Sequence, residues 1–284
     1  MTLHAHLARA RKRLEASGID ALEAAVDAEW LARTVLGWDR ARLLSSYPDQ
    51  APDRFAASYD ALVARRERRE PAAYIVGRRE FWQREFEVGP GVLVPRPETE
   101  FIVEEAVAHL TPGSRAWRIA DVGTGSGCLA VTLALEFPHA RVVATDVSEA
   151  AICVARRNAA RHGVADRVAF VLTDILAGVD ARFDLIVSNP PYVPLPEWPG
   201  LPPEVREYEP REALLAGADG LDAIHALLLQ AGSRVGQGGR VIFEFGFGQD
   251  AGVRAAIAAR PAFRLTAIRE DLQRIPRTAI LERV

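Results

Sequence analysis

Residues 118–135 read RIADVGTGSGCLAVTLAL. A short apolar run, Ile119 to Val122, stops at Gly123-Thr124-Gly125-Ser126-Gly127, and apolar residues then resume at helical spacing. A strand that ends in glycines and opens a helix is the first βα turn of an open parallel sheet. Glycine serves there because the chain must turn sharply and let a ligand touch its backbone. A turn that merely tolerates glycine would look the same, so a partner is needed. The next apolar run, RVVATDV (141–147), ends at Asp146, about 20 residues past the turn, where a carboxylate can accept both hydroxyls of a ribose. Asp146 can equally cap the helix opening at SEAAICVARRNAA (148–160).

Working outward, the apolar runs WRIADVG, RVVATDV, RVAFVLT, FDLIVSN, GRVIFEFG, FRLTAIRE and RTAILERV alternate with helical patterns from about residue 117 onward. Continuous apolar strands joined by helices predict an α/β fold, a parallel sheet covered on both faces. The last two strands are joined only by DLQRIP (271–276), too short for a crossover, so they should pair antiparallel. An open sheet of seven strands ending in one reversed strand is Rossmann-like and fits a methyltransferase better than a dehydrogenase half. The turn agrees, because it reads GxGxG where a dinucleotide site wants GxGxxG, with Cys128 at the position after Gly127. A nucleoside cofactor without a pyrophosphate, S-adenosylmethionine, is the expectation. The third strand then ends at Asp174, which can meet an adenine amino group, and Ile175 can cover the ring.

The fourth strand ends in Ser188-Asn189-Pro190-Pro191-Tyr192, on the same sheet edge as the glycine turn. Two prolines cannot continue a ladder, but they fix φ and hold a carbonyl rigidly. The Asn189 side-chain oxygen and the Pro190 carbonyl can bind the two hydrogens of a planar NH2 group while Tyr192 stacks on it. The motif reads as a clamp for an sp² amino group awaiting a methyl.

Residues 1–75 carry helical patterns only and are read as a small helical recognition domain. Residues 76–95 are read as a β-hairpin linker turning at Gly89-Pro90-Gly91, and 96–284 as the methyltransferase domain. In the first helices the apolar face is expected at Leu22, Val26, Trp30 or Leu31, and Val35, and the basic run RRERR (65–69) as a solvated face. The net charge of −3 excludes a global nucleic-acid footprint, and no segment has the length and hydropathy of a membrane span. The two cysteines, Cys128 and Cys153, are expected as small buried hydrophobes in a reducing, cytoplasmic setting. No ligand spacing suggests a metal.

The stretches EPAAYIVGRREFW, VLVPRPETEFIVEEA, DVGTGSGCLAV, SNPPYVP, YEPREALLAGADGLD and GGRVIFEFGFGQ together resemble the peptide chain release factor glutamine methyltransferases, the PrmC/HemK family. The resemblance spans nearly the whole chain. It implies methylation of the side-chain nitrogen of the glutamine in the release factors' Gly-Gly-Gln motif, a protein substrate and not a nucleic acid; a monomer is the separate expectation. It implies Gly123 to Gly127, Asp146 and Asn189 at the cofactor, and Asn189 to Tyr192 at the glutamine. Many members carry an aromatic residue where this chain has Ile175. Arg96 and Glu98 fall in the family's PRPETE segment and are taken as lying beside the substrate. The alternatives are a sister enzyme that methylates a ribosomal-protein glutamine, whose matching stretch reads PRSPI, and a nucleic-acid amino-methyltransferase. The proline-rich VPLPEWPGLPPEV (193–205) either shapes the entry for the substrate loop or is an inert insertion.

Overall fold

The computed structural model describes residues 1–110, 113 and 115–284. The chain divides into two compact units: Met1–Arg78 with Pro202–Tyr208, and Arg79–Leu201 with Glu209–Val284.

In the first unit, α1 (Leu3–Ala16), α2 (Ala21–Leu36), α3 (Arg40–Ser45), α4 (Phe55–Glu67) and α5 (Ala72–Val76) enclose a core of Leu3, Leu7, Leu14, Leu31, Phe55, Tyr59 and Val63. Each of the first three helices starts at a side-chain cap, Thr2, Asp20 or Asp39. The buried face of α2 differs from the expected one. Leu22 and Val26 are 76% and 54% exposed, whereas Ala24, Asp27, Ala28, Leu31 and Ala32 are buried. Small alanines let α2 lie close to its neighbours, and Asp27 faces inward because its partner does too. That partner is Arg66, from the run expected to be solvated, and it is 1% exposed. Its guanidinium donates to Asp27 at 2.6 Å and to Glu23 at 2.7 Å. Pairing is what makes a buried guanidinium tolerable. The unit therefore has a titratable cluster of its own, Arg66 with Asp27 and Glu23, which helical patterning did not lead one to expect. The segment Pro202–Tyr208, which contains the short helix α9 (Pro203–Tyr208), completes it: Glu204 accepts from Arg69 at 3.0 Å, and the Tyr208 hydroxyl donates to the Arg68 carbonyl.

β1 (Arg78–Phe81) and β2 (Arg84–Glu87) pair as a hairpin. It turns at Trp82-Gln83, whose φ values of 51° and 58° match the twist of the strands. Gly89-Pro90-Gly91 is not the hairpin turn, and Val92–Pro95 forms no strand. After β2 the backbone of Glu87 is bound from the side by Asn158, which accepts its N–H at 2.8 Å and donates to its carbonyl at 3.0 Å.

The second unit is built on β3 (Arg118–Val122), β4 (Arg141–Asp146), β5 (Val168–Leu172), β6 (Phe183–Ser188), β7 (Val235–Glu244), β8 (Phe263–Glu270) and β9 (Pro276–Arg283), in the order β5-β4-β3-β6-β7-β9-β8. Only β9 runs against the others. It lies inside β8 rather than at the edge, so the sheet does not end in its reversed strand. Alternate residues face opposite layers: Ile119, Leu185, Ile242 and Ile280 pack with α6 (Glu100–His109), α7 (Cys128–Glu136) and α8 (Glu149–Arg161). Ala120, Ile186, Phe243 and Leu281 pack with α10 (Asp222–Arg234) and α11 (Asp250–Ala258). Cys128 is buried, as expected, but Cys153 is exposed on α8.

Gly127 ties the turn to this packing. Its φ is +81°, and a Cβ there would lie 3.0 Å from the Ala155 Cβ and 3.1 Å from its Cα. Gly127→Ala is expected to cost roughly 2 kcal/mol in strain and displaced helix, lowering Tm by about 4–8 °C in a thermal melt.

Candidate active site

The chain reverses its direction of travel across the sheet between β3 and β6, the topological switch point where open sheets bind ligands. Register brings the two loop starts together, since Val122 pairs with Ser188 and the Ser188 hydroxyl donates to the Val122 carbonyl at 2.8 Å. Beyond the strand ends lies a cavity of about 400 Å³. Of the sequence-predicted residues, Gly123, Gly125, Asp146, Asp174, Ile175, Asn189, Pro190 and Pro191 line it.

The glycine turn is held from beneath. Gly123 and Thr124 both donate their N–H to the Thr145 carbonyl at 2.9 Å, and Gly127 donates to Thr124. Thr124 and Ser126 are buried and do not line the cavity. The Thr124 hydroxyl donates to Asp121 at 2.6 Å, and the Ser126 carbonyl accepts from Asn158. Asp121 also accepts the Ala130 N–H at 3.0 Å, so one carboxylate binds the turn to α7. Burial pushes its pKa up to about 7. Nothing lies within 4 Å of where a Cβ would stand on Gly125, leaving its backbone open to close approach.

Asp146 ends β4 with each carboxylate oxygen already accepting one bond, Oδ2 from the Gly125 N–H and Oδ1 from the Ser148 N–H, both at 2.9 Å. Ser148, not Asp146, is the N-cap of α8. A carboxylate oxygen can accept more than one bond, so both oxygens remain able to take a hydroxyl. Burial raises the Asp146 pKa, and the hydrogen bonds from neighbouring backbone N–H groups, that of Gly125 first, oppose the rise. Ile175 holds φ at 55°, a strained value for a β-branched residue and a kind of strain that collects at ligand sites.

Asn189 follows β6 and points its amide two ways. Its Nδ2 donates to the Thr99 hydroxyl at 2.8 Å, while its Oδ1 is buried with no protein partner among the described residues. Thr99 in turn donates to Glu244 at 2.7 Å, and the Tyr192 hydroxyl donates to the other Glu244 oxygen at 3.0 Å. Tyr192 itself does not line the cavity; its carbonyl is bound by Gln249 at 2.8 Å. Arg96 and Glu98 do not line it either. Arg96 pairs with the buried carboxylate of Glu209 at 2.6 Å, beneath the Val94 N–H.

Sequence reasoning passed over Asp121, Thr99 and Glu244. The last had a signal: RVIFEFGF places a carboxylate inside an otherwise apolar strand, and such a group is almost never fully buried without a partner. Glu212, Ala216, Gly217 and Asp222 of YEPREALLAGADGLD also line the cavity, a stretch to which no role had been given.

Residues 5–77 match the PrmC N-terminal domain family, and residues 99–195 the methyltransferase small domain family. The release factor glutamine methyltransferase of Cereibacter sphaeroides is 44% identical over 256 residues, covering 90% of each chain. That of Koribacter versatilis is 40% identical over 285 residues, covering 99% of this chain and 98% of its own. The chain belongs to the release factor glutamine methyltransferase family. Among solved structures, the 16S rRNA N2 G1207 methyltransferase RsmC of T. thermophilus superposes with a TM-score of 0.52 at 20% identity, covering 73% of this chain and 50% of that one. A methyltransferase from Pyrococcus furiosus does so at 0.51 and 21%, covering 69% and 87%. These two share the fold. The cofactor of the release factor glutamine methyltransferase family is S-adenosylmethionine. Two features of the cavity fit it: the open backbone at Gly125 and the strand-end carboxylate of Asp146.

Proposed function

We propose that this protein methylates the side-chain nitrogen of the glutamine in the Gly-Gly-Gln motif of class 1 peptide chain release factors, yielding N5-methylglutamine. The single observation that carries the assignment at atomic level is the buried, unpartnered Oδ1 of Asn189 beside the Pro190 backbone. The family relationship over the full chain carries the substrate.

Bound in the cavity, S-adenosylmethionine supplies a methyl group on a positively charged sulfur. Asp146 holds the ribose hydroxyls, Gly123 and Gly125 offer their backbone, and Asp174 and Ile175 take the adenine. The difficult partner is the acceptor, because an amide nitrogen delocalises its lone pair. Asn189 Oδ1 and the Pro190 carbonyl each accept one hydrogen of the glutamine NH2 group. That turns the lone pair toward the methyl and stabilises the positive charge that grows on nitrogen. The methyl–sulfur bond would break as the carbon–nitrogen bond forms, S-adenosylhomocysteine would depart neutral, and one of the two amide protons would pass to solvent. Pro191 closes the substrate side, Tyr192 braces the loop from behind through its bond to Glu244, and Arg96 and Glu98 outside the cavity shape the approach of the protein loop.

The helical N-terminal domain and the segment that follows it serve release-factor recognition. A net charge of −3 supports a protein substrate over nucleic acid, and the free cysteines, Cys128 and Cys153, suit the cytoplasm. No helix among the described residues is long and apolar enough to cross a membrane. The enzyme is taken to act as a monomer.

The test is mass spectrometry of a release factor incubated with the enzyme and isotopically labelled S-adenosylmethionine. The glutamine of the Gly-Gly-Gln motif is expected to gain one methyl. Labelling of a ribosomal protein or of RNA with none on the release factor would overturn the assignment.

A further inference from the structure

The chain from Glu244 to Asn189 has a direction. A carboxylate can only accept, so the Thr99 hydroxyl must spend its one hydrogen on Glu244. The Thr99 oxygen is then left with lone pairs alone facing Asn189. The Asn189 amide must turn its NH2 end to Thr99, which leaves its oxygen, buried and without a protein partner among the described residues, for an incoming donor. An asparagine free to flip would present NH2 to the substrate's NH2 half the time, a donor facing a donor. The second oxygen of Glu244 fixes Tyr192 through its hydroxyl. One buried side chain thus sets both the polarity of the amide and the seating of the ring.

We infer that Glu244 and Thr99 are positioning residues for the methyl transfer, a hydrogen-bond relay that locks the Asn189 amide with its oxygen toward the glutamine. This deepens the proposed function and rests on that reading of Asn189.

The relay depends on charge. Burial pushes the Glu244 pKa up to about 6, against the opposing pull of its bonds from Thr99 and Tyr192. The other charged groups near it are Glu98, which raises the value further, and Arg277, which lowers it; Arg96 and Arg277 also face Tyr192. Protonated, Glu244 can donate to the Thr99 oxygen, releasing the Thr99 hydrogen toward Asn189 and inverting the amide. Because the ionised form is the working one, turnover should be full above the Glu244 pKa and fall as pH drops through about 6.

The experiment compares wild type with Thr99→Val, Thr99→Ser and Glu244→Gln. It measures kcat and KM on a release factor across pH 5 to 8 and S-adenosylmethionine binding by calorimetry, with rates scaled to the fraction competent to bind. Thr99→Val keeps shape without a hydroxyl, and Glu244→Gln can donate where the carboxylate could not. Each should lower kcat by about 10- to 100-fold with little change in KM or cofactor Kd. Thr99→Ser should recover most of the Thr99→Val loss, and Glu244→Gln should lose the acid limb. A wild-type kcat in Thr99→Val, or an unchanged kcat and acid limb in Glu244→Gln, would overturn the relay while leaving the enzyme's function standing. Wild type that fails to label the release factor would overturn the function and the relay together.

Discussion

Asn189→Ala is expected to reduce kcat by about 100- to 1,000-fold while leaving the dissociation constant for S-adenosylmethionine within a few-fold of wild type. The substitution removes one of the two acceptors aimed at the glutamine NH2 group, in a site where no solvent reorganisation is needed to make that contact. What it leaves behind is tolerable. Thr99 keeps its bond to Glu244, and the backbone of the loop is still braced by Pro190 and Pro191. The loss should therefore appear in turnover and not in folding or cofactor affinity. Steady-state kinetics on a release factor, with calorimetric titration of the cofactor, separates these quantities. Turnover near wild type in Asn189→Ala would remove the clamp from the mechanism.

Asp146→Ala should produce the complementary pattern, a cofactor Kd raised by about 100-fold or more. Two hydroxyl bonds to a charged acceptor are worth roughly 1.5–3 kcal/mol each, and ~1.4 kcal/mol is tenfold in affinity. The substitution also deprives the Gly125 and Ser148 N–H groups of their acceptor, so the glycine turn loses its tie to β4 as well. Asp146→Asn separates the two effects, since its amide oxygen can still serve one of those N–H groups while the charge is gone. Both variants should approach the wild-type kcat once the cofactor is saturating. A Kd close to wild type in Asp146→Ala would place the ribose elsewhere.

The sheet was legible in the sequence because each strand is an apolar run bounded by turn residues, and the site because it falls where those runs end. Gly123, Asp146 and Asn189 sit at the carboxyl ends of β3, β4 and β6, so strand order alone brings them together. What depends on three-dimensional pairing was not legible. The position of β9 inside β8 follows from register, which no local pattern records. The inward face of α2 was misread because apolar spacing is silent about alanine, and about an Asp27 that is buried only because Arg66 arrives from α4. Thr99 escaped for the same reason: its partners, Asn189 and Glu244, lie 90 and 145 residues away.

The helical unit is discontinuous, and this sets an order on its completion during synthesis. Its first seventy-eight residues leave the ribosome long before the acid that binds Arg69, which follows 135 positions later. Until then Arg66 has Asp27, Glu23 and the Glu70 carbonyl to satisfy it, without Glu204. The nascent helices can collapse early but must wait for a distant seven-residue stretch to be finished, so the part of the chain translated first is among the last to mature.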